Sequence, residues 1–301
     1  MKLFKLTLLF CLVTVFSFGN ISSKEKQALV ALHQNTQGAS WFTAWDLNAP
    51  VSTWYGVVVK NDHVVELNLE FNNLQGDLPN ELGDLVHLEK INFFRNNITG
   101  SLPNTIANLK SVTTINIAFN KLTGALPEAI TQLESLEVLE LFMNRIEGGI
   151  PASIGNLTNL KTLSLYNNNI TGGIPASIAS LTNLNELMIS SNRLTGKLPR
   201  SISQLKALKV LSVFDNNLLG VVPSSIGELA NLEELVLSNN AFYGNLPNEL
   251  ANLSNLKVLL LGNNGFKGDL VSLQEKFPNI IDFDIDHTNS RGTIVTLDSE
   301  D

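Results

Sequence analysis

The residue types that carry catalysis or bind metals are sparse in this chain of 301 residues, and their spacing forms few constellations. His33, His63, His87 and His287 are scattered, and none has a second histidine or a cysteine at metal-ligand spacing. Asp282, Asp284 and Asp286 alternate. A calcium loop needs a D-x-D-x-D-G start and a glutamate at the twelfth place, whereas here His287 follows and Thr293 holds that place. Phe283 and Ile285 fill the alternate positions, so the spacing predicts a strand with its aspartates on the outer face, where like charges discourage further pairing. A weak divalent-ion site is the competing reading. No Ser–His–acid set and no phosphate-binding glycine loop is visible. The sequence predicts no catalytic residue, no cofactor and no metal centre, hence no enzyme. What it offers instead is a set of aromatics, Phe71, Phe94, Phe119, Phe142, Tyr166 and Phe214, whose value depends on the elements that present them.

Those elements repeat. An asparagine returns every 24 residues, at Asn72, Asn96, Asn120, Asn144, Asn168, Asn192, Asn216, Asn240 and Asn264. A glycine stands four places after each, from Gly76 to Gly268, and in the first eight repeats a proline stands three further on, from Pro79 to Pro247. A fixed period of this size marks a solenoid, in which stacked units share one core. Within one unit, Thr162 to Tyr166 alternates polar and apolar, which reads as a strand with Leu163 and Leu165 inward. Nine or ten such strands in parallel would make a ribbon about 45 Å long at a spacing of ~4.8 Å. Asn168 has two donors and an acceptor with which to satisfy backbone groups at a bend, so its recurrence predicts a ladder. Gly172 suits a tight, left-handed bend. Pro175 suits the start of a return segment. Ile178, Leu181 and Leu184, three apart, suit a short 3₁₀ turn facing inward.

The string L-x-x-L-x-L-x-x-N-x-L-x-G-x-[IL]-P resembles the leucine-rich repeat, and its Gly and Pro positions resemble the plant-type, extracellular subclass of receptor ectodomains and polygalacturonase-inhibiting proteins. The likeness runs from Val64 to about Ile280. Trp54-Tyr55-Gly56-Val57 resembles the W-x-G-V core of that family's N-terminal module. The family usually sets cysteines around it; here Ser52 and Val59 stand there, which points to a bacterial or protist secreted version. The resemblance implies a right-handed solenoid, with a parallel β-ribbon on the concave face and short 3₁₀ or irregular returns on the convex face. It also implies a binding role.

Four sections follow in order. Residues 1–19 read as a secretory signal, with Lys2 and Lys5 ahead of an apolar run from Leu6 to Phe16 that is too short for a membrane span. Residues 20–63 read as an N-terminal cap: Ser22 and Glu25 have capping-box spacing before an apolar helical face, and Trp41, Trp45 and Trp54 plug the open end of the core. Residues 64–279 hold nine repeats, and 280–301 a C-terminal cap with a partial tenth. Cys11, the only cysteine, lies in the signal, so an exported product would have no disulfide. A net charge of −8 with no basic stripe excludes a nucleic-acid role. Sequons at Asn97, Asn156, Asn169 and Asn252 arise readily in a repeat rich in Asn and Thr.

The outward strand columns line the concave face. They bring Phe71, Phe94, Arg95, Phe119, Phe142, Met143, Tyr166, Asn167, Phe214 and Asp215 to one surface, where a contiguous apolar patch marks an interaction site. The bland reading is that these rings only cover the strands. The sequence therefore predicts a secreted or cell-surface (alternatively periplasmic) module that binds a protein or peptide. Two alternatives stand beside it: carbohydrate binding by stacking on Phe142, Tyr166 and Phe214, and a structural scaffold or adhesin component.

Overall fold

The computed structural model describes residues 21–270 and 272–285. The signal segment, Cys11, Asp286, His287 and the rest of the expected C-terminal cap beyond residue 285 lie outside the described residues. Each repeat contributes one short strand, such as Thr162–Ser164 or Glu186–Met188, and each pairs with the strand of the next repeat (Leu163 opposite Leu187, Leu187 opposite Leu211). Ten strands, from His63–Asn68 to Asp282–Asp284, run in parallel along a right-handed leucine-rich-repeat solenoid. An eleventh, Val57–Lys60, joins the first antiparallel. The repeat pattern does not predict this hairpin. Its local signal is Asn61-Asp62, both left-handed, as a tight two-residue turn requires.

The core follows from the period-two strand. Leu163 and Leu165 are wholly buried, as are Ile178, Leu181 and Leu184 of the return that follows. That return opens on Pro175, whose fixed φ of −67° starts the 3₁₀ segment Ala176–Ser180. The amides of Ile178, Leu181 and Leu184 then donate to the carbonyls of Pro175, Ile178 and Leu181 at 3.0, 3.1 and 2.9 Å. Gly172 bends the chain with φ +75°; nothing lies within 4 Å of where its Cβ would stand, so the backbone angle rather than space demands glycine.

Between strand and bend the asparagine turns inward. The Asn168 amide donates to the carbonyls of Leu141, Leu165 and Tyr166 at 3.0, 3.0 and 3.4 Å. Its carbonyl oxygen accepts from the Ile146 amide at 2.9 Å. One side chain thus closes its own turn and ties it to the turn before. Asn96, Asn120, Asn144, Asn192 and Asn216 repeat the set with their own neighbours. The residue ahead of each asparagine pays for that geometry with left-handed backbone: φ is 51° at Phe71, 54° at Arg95, 53° at Phe119 and 53° at Met143.

The N-terminal end is sealed by the helix Ser23–Asn35, which begins with a complete capping box between Ser22 and Glu25. Burial acts upward on the Glu25 carboxyl. The amide of Val64 and the hydroxyl and amide of Ser22 outweigh it and hold the group below its ordinary value. Trp41, Trp45 and Trp54 are buried, and Trp45 packs edge-on against Trp41 at 4.9 Å and stacks on Trp54 at 4.8 Å. Each indole N–H has a carbonyl partner (Thr36, Tyr55 and Ala49). Asn72 joins this end to the array, because its side chain both accepts from Thr43 N and donates to Thr43 O.

Leu163→Ala should cost about 2–5 kcal/mol, the range for a buried leucine truncated in a tight core. Asn168→Ala should cost about 2–4 kcal/mol by stranding buried carbonyls. Asn168→Asp should cost more, because the oxygen that replaces the amide nitrogen would face three carbonyls. Urea denaturation of the three variants checks the order.

Candidate binding surface on the concave face

The rings of the first five repeats meet as one strip. Phe71 lies edge-on to Phe94 at 5.4 Å, Phe94 to Phe119 at 5.4 Å and Phe119 to Phe142 at 5.5 Å. Phe142 stacks on Tyr166 at 4.4 Å. Phe94 and Phe142 stand two strands apart, about 9.6 Å at ordinary strand spacing. Their centroids approach to 6.4 Å because the residue between them in that column is Ala118. The rings lean over it and bury it completely. Arg95 adds its guanidinium over Phe71 and Phe119, at 5.2 and 5.9 Å.

Exposure grades along the strip. Phe71 is 50% exposed, Phe119 36% and Met143 37%, while Phe94, Phe142 and Tyr166 are half-buried between them. Asn167 is half-buried and donates to the Met143 sulfur at 2.9 Å. Phe214 and Asp215 lie apart. Ser190 fills the intervening place in the column, and Phe214 makes no ring contact among the described residues.

Two features escape a column-by-column reading of the sequence. Phe42, at 78% the most exposed aromatic among the described residues, donates its amide to Asn72 O and so stands at the N-terminal end of the strip. His63 and His87, one period apart, bring their rings to 3.7 Å, with His63 Nδ1 3.5 Å from Glu25 Oε1. The 24-residue interval is the signal that predicts such a contact. Among the described residues no group of three or more His, Cys, Asp or Glu side chains could hold a metal ion. Asp282 and Asp284 sit in the last described strand.

Carboxylates flank the strip. Glu140 stands beside Ser164 in register, and Glu186 shares a strand with Met188 on the same face. Burial and then the charge of Glu186 raise the Glu140 carboxyl above its ordinary value. Burial raises Glu234 as well, helped by Glu233 and Glu186 and opposed by Lys257. Burial and the nearby Glu140 push the Tyr166 phenol up to about 12.

The chain belongs to the leucine-rich repeat family. A family model described as a leucine-rich repeat region matches residues 147–293, and another described as a leucine-rich repeat matches 63–85, 87–109 and 135–157. No curated protein matches the chain. Among solved structures, the leucine-rich-repeat ectodomain of the Arabidopsis thaliana membrane receptor kinase GASSHO1/SCHENGEN3 was crystallised with CASPARIAN STRIP INTEGRITY FACTOR 2. It is 28% identical, with a TM-score of 0.81 over 85% of this chain. The Arabidopsis receptor kinase HAESA, in complex with the peptide hormone IDA and the co-receptor SERK1, is 28% identical, with a TM-score of 0.73 over 81% of this chain. The chain spans only 32% and 42% of those two structures. A plant ice-binding protein shares the fold at 24% identity, with a TM-score of 0.77 over 89% of this chain and 87% of its own. Among the described residues no helix is long and apolar enough to cross a membrane.

The raised carboxylates predict a pH signature. Folded Glu140 and Glu234 keep their protons to higher pH than in the unfolded chain, so the stability they contribute is full below the ordinary carboxylate value of 4.5 and is lost as pH rises through their folded values. Glu140→Gln and Glu234→Gln should therefore stabilise the protein at pH 7, and the gap to the parent should close below pH ~4. Thermal melts across pH 3–8 check it.

Proposed function

We propose that this protein is a secreted, non-enzymatic recognition module that binds a protein or peptide on its concave face. One observation carries the reading: bulky residues fill a left-handed column where their cost is highest. A non-glycine residue with positive φ is tolerated best as Asn or Asp. The later repeats carry Asn167, Asp215, Asn239 and Asn263 in that column, with the small Ser191 as their one exception. The early ones carry Phe71, Arg95, Phe119 and Met143 at the same angle. Stability alone favours the opposite choice, so the strip owes its composition to contact with something outside the chain. Aromatic, Met and Arg side chains are those that supply contact energy at interfaces.

The two receptor ectodomains that resemble the chain were each crystallised with a ligand, and for HAESA that ligand is a peptide hormone. The first is an ectodomain by description, which supports an extracellular or cell-surface location here. A carbohydrate reading needs flat ring faces open to sugar. Phe142 and Tyr166 spend one face each on the other, and the remaining pairs are edge-on, which favours the peptide reading.

Replacing Phe94, Phe142 and Tyr166 together by alanine should leave the far-UV spectrum and a cooperative unfolding transition in place and weaken capture of partners cross-linked on intact cells at least tenfold. A glycan array run on the same pair of proteins decides against the peptide reading if only glycans discriminate between them. Retention of every partner by the variant moves the site off the strip.

A further inference from the structure

The ring strip ends beside two carboxylates that the chain leaves without a counter-cation. Two acids at strand starts nearby are paired: Glu137 meets Lys161 at 2.7 Å, and Glu233 meets Lys257 and, at 4.0 Å, Lys209. Among the described residues neither Glu140 nor Glu186 has an ion pair; the Thr162 hydroxyl, 3.5 Å from Glu186, is the one side-chain hydrogen bond at either carboxylate. Between them stands Ser164, opposite Glu140 in register and on the same face. It is wholly buried, and its hydroxyl has no hydrogen-bond partner. An unpaired buried hydroxyl beside like charges that face each other is a poor arrangement for folding alone. A ligand that brings a cation with hydrogen-bond donors would satisfy both carboxylates and, as their side chains turn to it, uncover the Ser164 hydroxyl.

We infer that the concave face takes a basic peptide: an extended segment whose large apolar side chain sits on the ring strip and whose Lys or Arg reaches Glu140 and Glu186. This rests on the peptide-binding reading above and adds the chemistry of its ligand. The aliphatic stem of a Lys or Arg would lie along the stacked Phe142–Tyr166 pair, with its charged end at the carboxylates. A net charge of −8 attracts such a segment from a distance. The geometry sets a spacing. From Phe94 to Ser164 is three strands, about 14 Å at ~4.8 Å each, and an extended chain advances ~3.3 Å per residue. The basic residue therefore follows or precedes the apolar anchor by about three to five positions.

The test is selection from a random 12-residue peptide library displayed on phage, against the parent chain and against a Glu140→Gln/Glu186→Gln double variant. Removing uncompensated buried charge leaves the fold at least as stable, and a melt at pH 7 verifies this before selection. The parent should enrich peptides that combine a large apolar residue with Lys or Arg at that spacing. A synthetic copy of the best peptide should bind the double variant at least tenfold more weakly, and its affinity for the parent should fall as salt rises. The double variant should still enrich the apolar residue and lose the basic one. Apolar enrichment without a basic residue in the parent overturns this inference and leaves the peptide-binding reading standing. So does basic enrichment that survives in the double variant. No enrichment in the parent overturns both.

Discussion

Everything in this molecule hangs on one side-chain amide per turn. From Asn120 to Asn264, each ladder asparagine donates to three carbonyls and accepts from one amide of the preceding repeat, as Asn168 does, at the place where the strand must stop and the chain must bend. A bend buried in a core would otherwise strand backbone polar groups at several kcal/mol apiece. Leucine packing supplies most of the favourable free energy, but it is indifferent to register. The asparagine is not, because only a period of 24 brings its donors level with the same carbonyls in every turn.

The same constraint manufactures the surface. Closing the turn forces the preceding residue into left-handed backbone, which places one column of side chains at the rim of the strands. A solenoid without a ligand would fill that column with Asn, Asp or Gly. The array does so at Asn167, Asp215, Asn239 and Asn263, uses a small serine at Ser191, and departs from it with bulky side chains in the early half, at the cost of strain. The departure coincides with the ring strip from Phe71 to Tyr166 and with the uncompensated acids at Glu140 and Glu186. Local strain, exposed aromatics and unpaired charge thus converge on one face of repeats one to six, next to the Trp-plugged cap.

Periodicity made the fold legible in the sequence. Strand, inward asparagine, left-handed glycine and proline-started return each recur at a fixed offset, and local chemistry agrees with the global winding at every one. The ring strip was legible too, since residues one period apart become neighbours across the ribbon. That rule also holds for His63 and His87, whose contact the eye misses because histidines invite a search for metal spacing instead. Phe214 shows where column reasoning stops: it belongs to the same column as Phe142 and Tyr166, but Ser190 opens a gap that only side-chain size decides. Ala118 and Ser164 make the complementary point, for both lie on the outer face and both are sealed by larger neighbours. The Glu140–Glu186 pair joins different columns and different repeats, so no single column displays it. Backbone angles are invisible in the sequence, and with them the strain that separates the early from the late repeats.

The most direct test of the account is to relieve that strain at the two positions with the fewest ring contacts. In Phe71→Asn/Met143→Asn, the residue type that the later repeats use replaces bulky side chains at φ 51° and 53°. Urea unfolding and titration with a peptide selected on the parent chain are measured on the same preparations. The account predicts a free energy of unfolding unchanged or raised by about 1 kcal/mol, from the relief of left-handed strain, together with a loss of affinity of at least tenfold. A variant that loses more than about 1 kcal/mol of stability while binding as the parent does would show these side chains to be structural cover and would contradict it.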